Sequence, residues 1–157
     1  MKLTEQFANR LEEVLLSGKW VTGTNLKDEL RSLNWKQATT QVDTLNTIAL
    51  LTFHIHYYLA GVLKVLEGGE LTIRDKYSFD AIPIQNEKDW KDLLDRFISD
   101  SERYVAVVRM MPEEKLFETF VKKEYGNYCR NMDVMLEHIY YHFGQIVLIK
   151  KLIESKC

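Results

Sequence analysis

The scarcity of residues that break helices constrains the fold of this chain more than any other sequence feature. Only two prolines and seven glycines occur in 157 residues. Proline removes a backbone donor and clashes with the preceding helical turn, and glycine weakens a helix through its entropy, so segments without them can form long helices. No strand-like alternation of any length appears between these breaks. The sequence therefore predicts an all-α protein.

Four segments carry apolar residues at helical spacing, and together they predict a four-helix bundle with long connectors in one domain, residues 1–157. An asparagine, Asn86, is expected to cap the third helix, and Pro112 to end it. Gly68 and Gly69 are expected to stop the second. The predicted helices cover residues 4–16, 43 or 44 to 67, 86 to the stretch before 112, and 127–154.

Two connectors are longer than a simple up-down bundle requires. Residues 19–41 predict one or two short helices, with Thr24 as a cap and with Trp20 and Trp35 anchored on the core. Residues 68–85 form the second connector. Its residues 74–79 fit either a solvated strap anchored by Tyr77 and Phe79 or the rim of a pocket or of a partner surface.

Charge and cysteine content exclude several protein classes. Lys and Arg total 21 against 23 Asp and Glu, a net charge of −2, which is too small to attract a nucleic acid by its long-range field. Two cysteines, Cys129 and Cys157, make no disulfide framework. We therefore expect no nucleic-acid partner and a cytoplasmic location.

A membrane association is not expected either. Glu5 and Arg10 interrupt the N-terminal segment where an export signal needs an apolar stretch. The longest apolar run, residues 48–65, contains His54, His56 and Lys64, whereas a membrane span needs about 20 mostly apolar residues. We interpret this run as a buried helix.

The fourth helix carries the residues that most directly suggest chemistry. A stripe in steps of four and three runs along it, and His142 is the only strongly polar member of that stripe. A polar row beside the stripe contains His138, so the two imidazoles lie one helical turn apart, a spacing that metal sites on helices use. The stripe consists of Tyr128, Met132, Met135, Ile139, His142, Ile146, Ile149 and Ile153, and the row of Asn131, His138, Gln145 and Leu152.

Two explanations of this histidine pair stay open. Each imidazole can be a core histidine that a carbonyl or carboxylate satisfies, in a metal-free core. A shared cation would satisfy both imidazoles at once, and neutral imidazoles favour zinc, nickel, copper or iron over magnesium or calcium. A third ligand would come from His54 or His56 on the second helix. Periodicity does not choose between these two, because that helix is apolar on both sides.

Residues 136–146 resemble the His-x-x-x-His-x-Gly-Gln signature on the last helix of the DinB-like superfamily of bacterial metal-binding four-helix bundles. Residues 47–58 resemble the segment of that family's second helix in which one histidine completes the site, and this alignment places the ligand on His54. The resemblance extends over nearly the whole chain, including the glycines at 68 and 69, Trp90 and the Tyr125-Gly126 pair.

The resemblance implies a cytoplasmic homodimer that holds a divalent metal, most often zinc or nickel, on His54, His138 and His142, with water in an open position. Some members of the family are transferases or isomerases that use low-molecular-weight thiols, so the partners implied are a small thiol or an electrophilic small molecule. Relatives often carry arginine where this chain has Phe143. If that arginine holds an anionic thiol, its replacement argues against the transferase reaction but leaves the metal site intact.

Two further residues are expected at the site. Gln145 is either a group that orients a ligand ring or bound water, or an ordinary polar edge of the bundle. Tyr58 is a second orienting group. Gly144 is expected to allow the close approach of another helix or of a dimer partner. The alternative to an enzyme is a non-catalytic dimeric binding or stress-related protein whose metal is structural or absent.

Overall fold

The computed structural model describes residues 1–155 as an all-helical protein. Within these residues no strand forms, and an isolated antiparallel bridge joins Thr119 to Asn127. The predicted all-α class is confirmed. Cys157 lies outside the described residues, and Cys129 carries a free, half-buried thiol. The α-helices of the described part are α1 (Leu3–Glu12), α2 (Leu26–Arg31), α3 (Trp35–Ala38), α4 (Ile48–Leu66), α5 (Glu87–Met110) and α6 (Tyr128–Glu154).

Short π-helical and 3-10 turns lie between these helices. A π-helical turn, Glu13–Ser17, continues α1, so the first predicted helix is confirmed in its extent. Three 3-10 turns lie in the later connectors, at Asp75–Tyr77, Glu113–Phe117 and Lys123–Tyr125.

Asparagine side chains fix where the two longest helices begin. The Oδ1 of Asn86 accepts from the N–H of Asp89 at 3.0 Å ahead of α5. The Oδ1 of Asn127 accepts from the N–H of Arg130 at 2.9 Å ahead of α6. Each bond satisfies a donor that has no acceptor within its own helix. The predicted starts of α5 and α6 are therefore confirmed.

The predicted start of α4 is four to five residues too early. Asp43 has a φ of 50°, in the left-handed region, and a right-handed helix cannot include such a residue. The helix begins instead after Thr47, whose Oγ1 accepts from the N–H of Leu50 at 3.2 Å. Its end agrees with the prediction, because Gly68 adopts a φ of 92° there.

The first connector forms two short helices, as predicted, but its contacts differ from the expected ones. Asn25, not Thr24, caps α2, and its Oδ1 accepts from the N–H of Asp28 at 2.9 Å. Trp20 is 91% exposed, so its prediction as an anchor is wrong. Trp35 packs against the core as expected. A loop residue with an apolar side chain does not by itself show whether the loop folds back on the core.

The four long helices pack around one core. α5 lies against both α1 and α4, and α6 lies against α4 and, more briefly, against α1. Every member of the predicted stripe on α6 is buried, His142 included. The polar row beside the stripe is half-buried, so it borders the core without entering it. This packing sets α4 and α6 side by side.

Within the described residues, α4 is the helix that is long and apolar enough to cross a membrane by length and mean hydropathy. In the structure, 61% of its most apolar window is buried inside the protein, against α5 and α6. Core helices pass the same composition test, and burial within the fold accounts for the apolar surface of α4.

The second connector runs back along α4 because a glycine leaves room for it. A Cβ atom placed on Gly61 would lie 2.5 Å from Cγ2 of Ile73, which is closer than real Cβ contacts allow. The Tyr57 hydroxyl donates to the carbonyl of Arg74 at 3.0 Å and fixes the same stretch. These contacts position the rest of the connector, including Ser78 and Phe79, over the middle of α4.

Two tryptophans with opposite environments test this description. Trp90 is 1% exposed and its indole N–H donates to the carbonyl of Leu33 at 3.0 Å. Trp90→Phe removes volume and leaves that carbonyl unpaired, so we expect a loss of about 2 kcal/mol in the free energy of unfolding. The matched control Trp20→Phe should change it by less than about 0.5 kcal/mol. Urea denaturation followed by circular dichroism measures both, and equal losses would contradict the packing described.

Candidate metal centre

Three histidines from α4 and α6 meet at one point. His54 of α4 faces His138 and His142 of α6, and one ring nitrogen of each lies within 4.8 Å of those of the other two. The Nε2 atoms of His54 and His138 are 3.1 Å apart. Two nitrogens that share a tetrahedral zinc at about 2.0–2.1 Å are roughly 3.4 Å apart. The His54–His138 pair therefore already has nearly the spacing that one cation requires, and the third imidazole lies within 4.8 Å of both.

The second connector holds the His54 ring. The Nδ1–H of His54 donates to the carbonyl of Ser78 at 3.0 Å. Phe79 stacks on the same ring with centroids 4.0 Å apart and planes within 8°. A carbonyl can only accept, so the hydrogen lies on Nδ1 and the lone pair of Nε2 faces the cluster. The connector thus packs on the histidine cluster with Phe79 still 43% exposed, and none of its residues lines the cavity beside the three imidazoles.

Gln145 holds the second ring. Its Oε1 accepts from the Nδ1–H of His142 at 2.7 Å. This again leaves the lone pair on Nε2, the nitrogen that is then free to bind a cation. Of the two interpretations of Gln145, the structure supports the orienting one. Hydrogen bonds of this kind fix the tautomer and raise the basicity of histidines that bind metals.

All three imidazoles are biased toward the neutral form. Burial lowers the pKa of His54, His138 and His142. The pKa of His138 falls to about 4, because burial and then the neighbouring imidazoles His142 and His54 disfavour its charge. Neutral imidazole is the form that binds metals, so near pH 7 no proton has to leave these rings first.

Tyr58 packs its ring edge-on against two of the histidines. Its centroid is 5.2 Å from that of His54 and 5.1 Å from that of His138. The phenol donates to Oδ1 of Asp75 at 2.9 Å, and burial raises the pKa of Tyr58. Tyr58 thus lies at the site as expected, and the connector fixes its hydroxyl.

His56 lies outside the cluster. Its Nε2 is 2.8 Å from Oδ2 of Asp100, on α5, so it joins α4 to α5. Residues two apart on a helix point in nearly opposite directions, and α4 faces α5 and α6 on different sides. The choice between His54 and His56, which periodicity left open, is made by this tertiary packing.

Two other residues of the α6 motif have environments that differ from the expectation or extend it. A Cβ atom placed on Gly144 would meet nothing within 4 Å, so no other helix among residues 1–155 packs closely against it. Phe143 is 1% exposed. Phe143 is therefore a core side chain, at the position where the resemblance to the DinB-like superfamily would place an arginine.

A cavity of about 470 Å³ opens beside the three imidazoles. Met135 and Asn131 in its wall belong to the stripe and the row that the sequence showed. The contributions of Val62, Val134 and Tyr141 were missed, because apolar positions on a helix look the same whether they face the core or a cavity. Asp75, Ser78 and Phe79 belong to the stretch 74–79 that the sequence offered as a pocket rim, but their contacts with Tyr58 and His54 were not predicted.

Comparison of this chain with protein-family models, curated proteins and solved structures finds no match.

The donor atoms suit a transition metal. Three neutral imidazoles, two with Nδ1–H groups held by oxygen acceptors, form a nitrogen donor group typical of zinc, nickel and copper sites. Three protein ligands leave a position open, which distinguishes catalytic zinc sites from closed structural ones. What the arrangement can do chemically is bind one cation and one exchangeable ligand.

Acid should destabilise the metal-free protein through His138. An unfolded chain protonates this histidine below its ordinary pKa of 6.5, whereas the folded protein keeps it neutral down to about 4. The unfolded state then binds more protons, so stability falls as pH decreases from 6.5 toward 4 and this contribution levels off below. Because His138 is partly exposed, we expect a loss on the order of 2 kcal/mol.

The matched variant is His138→Gln, which cannot titrate. Urea denaturation with a chelator present, at pH 7 and at pH 4.5, should show a smaller loss in His138→Gln than in the wild type, because one of the three histidines with a lowered pKa no longer titrates. An identical loss in the two proteins would show that His138 is not held neutral by the fold.

Proposed function

We propose that this protein binds a divalent metal, zinc or nickel, through His54, His138 and His142, with an open position for water or a thiol. The observation that carries the proposal is the pair of bonds from Nδ1–H groups to Ser78 and Gln145. These bonds leave the Nε2 lone pairs of His54 and His142 free to bind a cation. The 3.1 Å contact between the Nε2 atoms of His54 and His138 can be held by a proton or by a cation, and a cation would serve all three imidazoles at once.

The proposal extends to a metal-dependent reaction of a small molecule, such as thiol S-transfer. A cation held here would supply Lewis acidity, which lowers the pKa of a bound water or thiol toward neutrality. The protein's own residues orient the ligands through Ser78 and Gln145 and hold the rings of Tyr58 and Phe79 against the site. An open position supports this reaction over a purely structural metal.

The fold and assembly belong to the same proposal. We assign the chain, as one domain, to the DinB-like four-helix bundles, with α1, α4, α5 and α6 as the four helices. Support comes from the packing of α5 on α1 and α4, from that of α6 on α4 and α1, and from the motif at residues 138–145. The homodimer and the cytoplasmic location follow from the same family resemblance.

Metal titrations of histidine variants test the proposal. We expect the wild type to bind one zinc or nickel ion per chain. His54→Ala, His138→Ala and His142→Ala should each weaken binding by more than about 100-fold, because each removes a ligand rather than its support. His56→Ala removes an equally placed imidazole of the same helix and should bind metal like the wild type.

Competition with a chelating dye gives the affinities, and circular dichroism confirms that each variant is folded. Loss of metal binding in His56→Ala, or its retention in His142→Ala, would overturn the ligand assignment.

Gln145 provides a second test, through the ring that it holds. Gln145→Leu removes the acceptor for the Nδ1–H of His142, so we expect metal affinity to fall roughly 10- to 100-fold. Gln145→Glu keeps an oxygen acceptor and should restore most of the affinity. If both variants bound equally weakly, Gln145 would act through packing and not through its hydrogen bond.

A further inference from the structure

The wall of the cavity beside the histidines carries no charge. Apart from the three imidazoles, the described residues that line it are Tyr58, Val62, Asn131, Val134, Met135 and Tyr141. None of these is a lysine, arginine, aspartate or glutamate. An anionic group that enters a largely apolar cavity gives up its hydration and needs a cation or several donors in exchange.

Two of the three uncharged polar side chains of the wall, Asn131 and Tyr58, offer acceptors and not donors, and the third, Tyr141, keeps a hydroxyl donor on a side chain that is 66% exposed. The Nδ2 of Asn131 donates to the carbonyls of Tyr125 at 2.8 Å and of Asn127 at 2.9 Å, which uses both of its hydrogens. The Tyr58 hydroxyl donates to Asp75. What remains on both side chains is an oxygen with lone pairs. A carboxylate or phosphate, which only accepts, finds no partner among them, whereas a neutral N–H or O–H group does.

The cations nearest in sequence to the wall are engaged elsewhere, since Arg130 pairs with Glu137 at 3.1 Å and Lys64 donates to the Thr72 hydroxyl at 3.4 Å. The Lys76 ammonium lies over the ring of Tyr77, 4.6 Å from its centroid. Arg74 lines a different cavity, together with Lys122. The charge that does approach the wall is the carboxylate of Asp75 behind Tyr58, and its sign repels anions. The field around the cavity therefore opposes a negatively charged ligand, apart from the cation itself.

We propose that the molecule bound in this cavity is uncharged and mostly apolar, with one donor atom for the metal, and is not an anionic thiol. The inference rests on the proposed function for the metal and adds the class of its substrate. An apolar cavity of about 150 Å³ is enough to hold benzene. The space of about 470 Å³ therefore accommodates a substituted ring or a short branched chain.

Two thiols that differ by one carboxylate test the proposal on the Co²⁺-loaded protein. Phenylmethanethiol and 4-(sulfanylmethyl)benzoate share the ring and the sulfur, and either binds as a thiolate with its proton released to the buffer. Changes in the visible absorption of Co²⁺ report the affinity of each. We expect the uncharged thiol to bind at least about tenfold more tightly, because the carboxylate stays unpaired in the cavity. Equal affinities, or tighter binding of the carboxylate, would overturn the inference.

A matched pair of variants tests whether a positive charge at the mouth of the cavity changes the preference between the two thiols. Val134 is 43% exposed, so a longer side chain there need not disturb the core. Val134→Lys should reduce the preference for the uncharged thiol severalfold or reverse it, while Val134→Gln, of similar length without the charge, should keep it. A preference that is the same in both variants would show that wall charge does not select the ligand.

Metal uptake by the wild type distinguishes failure of the proposed function from failure of this inference. If the wild type does not take up Co²⁺, zinc or nickel, the metal assignment fails. The cavity is then tested on the metal-free protein with benzyl alcohol and benzoate, through the NMR signals of the three imidazoles. Shifts with benzyl alcohol alone would support the substrate class, and shifts with benzoate alone, with both compounds equally or with neither would overturn it.

Discussion

Three imidazoles that are removed from water and contact one another each need a hydrogen-bond partner. The surrounding residues supply these partners. An imidazole removed from water without a partner costs free energy, and three together also disfavour one another's protonation. The carbonyl of Ser78 and the amide of Gln145 each satisfy an Nδ1–H, and the Nε2 atoms of His54 and His138 meet at 3.1 Å. The second connector, residues 68–85, supplies the partner of His54 through the carbonyl of Ser78. It can reach His54 only because Gly61 lets Ile73 lie directly on α4.

The sequence predicts the parts of the site that depend on one helix. The stripe of α6, the turn between His138 and His142, and the place of Gln145 beside them all follow from helical periodicity, and asparagine caps define where α5 and α6 begin. These features are local, since each is decided by residues within about one turn. For the same reason, the all-α fold class and the pair His138 and His142 can be predicted from the sequence alone.

The features of the fold and of the site that the sequence does not predict depend on contacts between helices and connectors. His54 and His56 are equivalent by pattern, and only the position of Asp100 on α5 separates them. Trp20 has the composition of an anchor, yet the loop that carries it does not fold back on the core. The delayed start of α4 follows from the left-handed backbone of Asp43, which its residue type permits without requiring it. Contact with the rest of the protein decides each of these cases, and no local pattern encodes it.

Because the three histidines are neutral, they would affect the charge of a bound cation and so the kind of ligand that the cavity accepts. Imidazole ligands bring no negative charge, so a divalent cation on this cluster would retain its full charge, in contrast to one on thiolates or carboxylates. One anionic donor atom on the open position would compensate part of it at contact distance. A second anionic group, farther into the cavity, would meet acceptor oxygens and apolar walls, with Asp75 behind Tyr58 and one donor, the mostly exposed Tyr141 hydroxyl. An arrangement that activated a single bound atom would therefore select against ligands that carry negative charge anywhere else.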